Sequence, residues 1–351
     1  MPGIKPFSRR ILDPASRQRW LAQLDDHIQS LAWSPDGTRL AAASVSGPIA
    51  LFAAHTGQVT HTLDGHRFGT CEIAWDHTGK LLASVGQDGN VRIWQVEQGQ
   101  ALYTLEGGAS WVEHLAWHPH RPLLATAAGR KARLWDGSSG QMIQEYPAHQ
   151  STVSDVQWSP DGASLVTAAY GGLNFWQPEQ HEPQRHLTWK GSILVISWSP
   201  NGRFIATGDQ DATVHFWTVK SGQDLQMYGY PTKVRELSWD GASRYLATGG
   251  GDAAVVWDCS GKGPAGSRPI ELAGKTDQLS ALAFQHRGPL IAAASIDGTV
   301  IFWRIDRPQR PLERVRFDGE ISQLVWSPDD RLVAIGTSKG LVTIYTPPTV
   351  R

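Results

Sequence analysis

The stretch ISWSPNGRFIATGDQDATVHFW, Ile196 to Trp217, decides the fold. A strand-like segment ends on Trp198. A turn of Ser199, Pro200, Asn201 and Gly202 follows, then the apolar run Arg203 to Gly208. A second turn holds Asp211, and an alternating segment ends on Trp217. Short runs rich in Val, Ile and Trp between Gly/Asp turns are strands joined by hairpins. The same pattern recurs as LAWSPDG (31–37), IAWDHTG (73–79), LAWHPH (115–120), VQWSPDG (156–162), LSWDGAS (237–243), LAFQHRG (282–288) and LVWSPDD (324–330). The aromatics are Trp33, Trp75, Trp117, Trp158, Trp198, Trp239, Phe284 and Trp326, at spacings of 42, 42, 41, 40, 41, 45 and 42 residues. A period of this size means a helical array or a propeller blade.

Composition within the repeat chooses the propeller. No amphipathic helical pattern appears, and each repeat supplies strands a, b and c with an outer strand d such as Gln100 to Gly107. Strand c ends on Phe52, Trp94, Trp135, Trp176, Trp217, Trp257, Trp303 and Tyr345. The expected fold is all-β: a closed β-propeller of eight four-stranded antiparallel blades, with seven blades as the alternative. The last repeat lacks its own strand d. Arg17 to Leu24, alternating around Trp20, Ala22 and Leu24, is expected to complete the final blade and close the ring. That makes residues 1–16 a flexible tail and 17–351 one domain.

The 351 residues carry a formal charge of −1, with 40% apolar and 19% charged residues. This is a globular composition with no basic footprint for nucleic acid. No apolar run is long enough for a bilayer, and the N-terminal segment lacks the apolar core of a secretory signal. Two cysteines, Cys71 and Cys259, suit a reducing compartment, and a cytoplasmic, monomeric protein is expected. Thirteen of the sixteen tryptophans occupy strand a or c positions. They read as wedges between blades, not as a ligand site.

Blade two carries Gly65–His66, Ser84, Asp88 and Trp94. With the period, this set resembles the WD40-repeat family, in a bacterial-type, stand-alone form. The resemblance implies a buried His–Ser–Asp–Trp hydrogen-bond network rather than a hydrolase triad. Departures are frequent. The turn Asp persists at Asp88, Asp211, Asp252 and Asp297, but is replaced near Ser46, Gly129, Gly171 and Lys339. The His persists at His66 and His149, whereas Trp189 stands in its place before blade five.

The resemblance also implies three partner-contact slots per blade around the channel mouth. They pick out His27, Gln87, Trp111, Glu113, Tyr170, Leu194, Gln210, Lys233, Arg235 and Glu320. Trp111 and Tyr170 fall in adjacent blades and are expected to form one apolar patch, with Lys233 and Arg235 further round the ring. The function implied is a non-catalytic scaffold for protein–protein interaction. Its partner would be a protein or peptide, such as an extended segment with an apolar anchor and an acidic residue.

Two alternatives compete. His77, His118 and His120, on exposed a–b turns, are weak zinc candidates for a metal-handling accessory protein. A ligand-binding or catalytic propeller would need a polar channel, and the inner strands read as apolar. No Walker loop, nucleophile elbow, HExxH or Cys-x-x-Cys occurs, so neither an enzyme nor a cofactor is expected.

Overall fold

The computed structural model describes residues 11–261, 263–274 and 276–349. Residues 1–10 of the expected tail lie outside the described residues. Leu12, within that tail, donates its backbone N–H to the Arg314 carbonyl at 2.9 Å.

The protein is an all-β propeller whose blade strands pair antiparallel. Among the described residues the strands group into seven sheets, six of four strands and one of six. By that count the propeller has seven blades, not the eight expected. The reason lies in the fourth and fifth repeats. Leu165–Trp176 and Arg185–Trp198 are continuous strands that join both repeats in one hydrogen-bonded sheet. Within Leu165–Trp176 the Trp176 indole nevertheless donates to Thr167 Oγ1 at 2.8 Å. Nine residues of straight strand would separate them by about 30 Å. The strand therefore doubles back, and it does so at Gly171 and Gly172, with φ of +101° and +132°. A Cβ on Gly172 would lie 1.9 Å from the Leu187 carbonyl oxygen, so only glycine fits there.

The two ends of the chain close the ring. Gln18–Gln23 pairs antiparallel with Leu341–Tyr345, as the strand alternation predicts. Trp20 is buried there, stacks on Phe52 at 5.2 Å and donates its indole N–H to the Ala54 carbonyl at 2.8 Å. The closing strand thus also grips the first repeat.

Core packing lies between repeats. Trp75, Ile73, Leu82 and Trp94 of the second repeat pack on Ile49, Leu51 and Leu63 of the first. Among the described residues, eight such clusters run round the ring. Burying a ring of ~200 Å² contributes roughly 5 kcal/mol as an upper bound. The strand a indoles add a directional stitch. Trp75, Trp117, Trp158, Trp239 and Trp326 donate to the carbonyls of Ala32, Ala74, Ala116, Ser197 and Ala283 at 3.0–3.2 Å. Each acceptor belongs to the preceding repeat, whereas Phe284 has no N–H to give.

Candidate functional site: the channel and its mouth

Three repeats show how the strand c network forms and varies. In the second, His66 Nδ1 lies 2.8 Å from Asp88 Oδ1 and Nε2 lies 2.7 Å from Ser84 Oγ, which accepts the Trp94 indole at 2.8 Å. Burial opposes the Asp88 charge, but hydrogen bonds from His66 and Arg92 hold its carboxyl well below the usual range. In the sixth repeat Tyr230 stands where the His would be. Its hydroxyl accepts the Trp257 indole at 3.1 Å and bonds Thr248 Oγ1 at 2.9 Å. The Tyr substitution escapes a search for His, but its nine-residue lead over Trp239, equal to that of His66 over Trp75, marks it.

The fifth repeat breaks the network. Trp189 packs on His215 with ring centroids 3.7 Å apart. His215 Nε2, Thr207 Oγ1, Trp217 Nε1 and Asp209 Oδ1 are buried without a well-formed hydrogen bond, while His215 Nδ1 lies 3.2 Å from Asp224 Oδ2. Burial, then the Asp211 charge, pushes Asp209 up to about 8.

The inner strands are not apolar, contrary to the sequence reading. Glu72, His114, Asp155, Glu236 and Gln323 stand three residues before their strand a aromatics, on the strands that line the channel or, for Glu236, immediately before one. Side-chain acceptors there stitch neighbouring repeats. Ser30 Oγ takes the N–H of Ile73 at 3.3 Å, Glu72 Oε2 that of Leu115 at 3.0 Å, and Asp155 Oδ2 that of Ile196 at 2.7 Å. Alternation predicts which residues face the channel but not that a carboxylate there bonds the next repeat. Burial pushes Asp155 up to about 6. Burial opposes a charge on His114, but Glu72, with Asp155 and Glu113 beyond, outweighs it and raises its pKa.

Above this ring the channel opens into a depression of about 580 Å³. Trp111, Glu113, Leu194, Arg235 and Gln87 line it, as does Cys71. Burial, then Glu113 and Glu72, pushes the Cys71 thiol up to about 11, so it stays protonated. Trp111 is 53% exposed. Tyr170, also half-exposed, does not line the depression, and neither do His27, Gln210, Lys233 or Glu320. Tyr170 instead caps the hairpin of its own repeat, its N–H donating to Ser151 Oγ.

The histidine turns differ from expectation too. His118 is only 4% exposed, not a loop side chain in water. Its Nδ1 accepts the N–H groups of His120 and Arg121 at 3.0 Å, which requires the proton on Nε2. Nε2 accordingly donates to the Gly162 carbonyl at 3.1 Å. Both nitrogens are occupied, so His118 fits a turn lock and not a metal ligand. His77 and His120 remain exposed, and among the described residues no group of three metal-ligating side chains comes together. Among those residues, too, no helix is long and apolar enough to cross a membrane.

Repeat geometry, network and closure together define a WD40-type propeller. A family model described as WD domain, G-beta repeat matches residues 57–95, 99–136, 140–177, 181–218 and 266–304, more than half of the chain. The chain belongs to the WD40-repeat family. A model of the anaphase-promoting complex subunit 4 WD40 domain matches residues 15–71. Among curated relatives, the chain is 28% identical over 186 residues to mouse transducin beta-like protein 2, covering 49% of this chain and 41% of that one. It is 32% identical over 82 residues to meiotic fizzy-related protein 2 of Schizosaccharomyces pombe, covering 23% and 16%. With eukaryotic translation initiation factor 3 subunit I of Aspergillus niger it shares 39% identity over 46 residues, covering 13% and 14%. The matched stretches thus span less than half of these relatives. A crystal structure of the computationally designed Ika8 protein superposes with a TM-score of 0.81 at 22% identity, covering 94% of this chain and all of that one. That likeness concerns the fold alone.

Proposed function

We propose that this propeller is a non-catalytic protein-interaction scaffold that holds an extended polypeptide over the channel mouth. One observation carries the reading: residues from separate repeats converge on the 580 Å³ depression and leave a large aromatic, Trp111, half in water. Rigid aromatics and arginine dominate interface energetics. Trp111 and Leu194 would take the apolar anchor, and Arg235 the acidic residue of the partner. Tyr170 and Lys233 would contribute only through a partner long enough to leave the depression. The test is affinity purification with mass spectrometry on the wild type and on Trp111→Ala/Arg235→Ala. Loss of the enriched partners from the double variant is expected. Retention of the same partners would overturn the proposal.

We also infer that the six-stranded sheet works as two blades, giving an eight-wedge ring. The doubled-back strand Leu165–Trp176 and the eight core clusters support this. End-on class averages from electron microscopy would decide between eight lobes and seven. The free thiols Cys71 and Cys259 suit a reducing, cytoplasmic setting.

A further inference from the structure

A second cavity lies away from the channel mouth, on the outer part of the sixth repeat. It holds about 260 Å³, below the roughly 300–1,000 Å³ of pockets for drug-sized ligands. It therefore suits one chemical head group rather than a folded segment.

Its walls are aromatic and acidic. Tyr228, Tyr230 and Trp257 supply rings, and Asp252 and Glu271 supply carboxylates. Among the described residues, no basic side chain lines it. Tyr230 is locked, because its hydroxyl is engaged by both Trp257 and Thr248. Glycines let this wall come close to the backbone. A Cβ on Gly251 would sit 2.5 Å from Pro231 Cγ, and one on Gly250, at φ +96°, would lie 2.9 Å from Val234 Cγ2. Tyr228 is 69% exposed and forms the open side.

Such a lining discriminates between ligands. With the Tyr230 hydroxyl and the Trp257 N–H used internally, what those side chains have left to offer a ligand is their aromatic rings. An anion would meet the Glu271 carboxylate. A methylated ammonium needs few hydrogen bonds, is attracted by ring faces, and gains further from nearby negative charge.

We propose that this cleft binds a quaternary or partly methylated ammonium head group, held by Tyr228, Tyr230 and Trp257 with Glu271 at its rim. The site is independent of the channel mouth. The chemistry is shared by free choline-like molecules and by methylated lysine side chains.

Isothermal titration on the full chain tests it with choline, with a trimethyllysine peptide, and with 3,3-dimethylbutan-1-ol, the uncharged carbon isostere of choline. At least one charged probe should bind tenfold or more tighter than the isostere. Its affinity should fall at least fivefold in Tyr228→Ala and Glu271→Gln. Tyr228 hydrogen-bonds Gln226 two residues before it, and Tyr228 and Glu271 are both exposed, so both variants should fold. The tighter of the two cations identifies the source. Equal binding of the isostere, no binding of either cation, or affinity unmoved in Tyr228→Ala would each overturn the proposal.

Discussion

Trp33 donates its indole N–H to the carbonyl of Val325, 3.2 Å away and 292 residues further along the chain. Trp75 makes the same contact to Ala32 at 3.0 Å within the ring. The joint between the last repeat and the first is therefore built like every other stitched joint, and Trp20 reinforces it from outside. Replacing Trp33 by Phe removes one hydrogen bond and should cost about 1 kcal/mol. Trp20→Ala removes a buried ring as well and should cost about 3–5 kcal/mol. Urea unfolding measures both, and a Trp20→Ala protein as stable as Trp33→Phe would contradict the closing role.

Asp88→Ala strips partners from His66 and from Arg92, whose Nη1 lies 2.9 Å from Asp88 Oδ2. The expected loss is about 1–3 kcal/mol at neutral pH. The folded-state pKa of Asp88 is depressed, so its contribution is present above the unfolded value of about 3.9 and fades as pH falls below it. The stability gap between wild type and variant should narrow between pH 5 and pH 3. A gap constant over that range would exclude the ionic part of the network.

Asp209 behaves in the opposite sense. Its folded pKa is raised to about 8 against about 3.9 unfolded, so unfolding releases a proton throughout that window. Its contribution to stability falls as pH rises from 4 to 8. Asp209→Asn removes this titration, and its melting temperature should exceed that of the wild type increasingly from pH 5 to pH 8. Parallel melting curves would show that Asp209 ionises freely.

Phe284→Trp would place an N–H near the carbonyl of Ser238, where Trp33, Trp75, Trp117, Trp158, Trp239 and Trp326 have one in their own repeats. A cavity of about 410 Å³ opens beside Phe284, so the larger ring has room. A gain of about 1 kcal/mol is expected in urea unfolding. A destabilised variant would mean that the missing indole is not what leaves the cavity.

How much of this was legible beforehand differs by residue. The 40–45-residue period, the positions of the strand a and c aromatics and the closing segment around Trp20 were all readable. Strand periodicity and turn chemistry are local, and the chain writes them down directly. The His66–Ser84–Asp88–Trp94 network was expected only through the resemblance to the WD40-repeat family, since blade two alone carries the full set. The fusion of two repeats was not, since it depends on how tightly Gly171 and Gly172 let the backbone turn. Nor was the channel. Glu72 and Asp155 look like isolated polar residues on an apolar strand until the neighbouring repeat presents its N–H groups to them. His118 looked exposed because its turn is polar, and only packing against Trp158, with ring centroids 4.7 Å apart, buries it.

The sequence by itself thus determined an all-β ring of repeats and the residues that wedge it together, because burial period and hairpin turns are short-range properties. Tertiary structure alone decided how sheets merge, which polar groups find partners, and which aromatics gather around a cleft. Those outcomes join residues about 40 positions apart, and no local pattern records whether their distances and donors match.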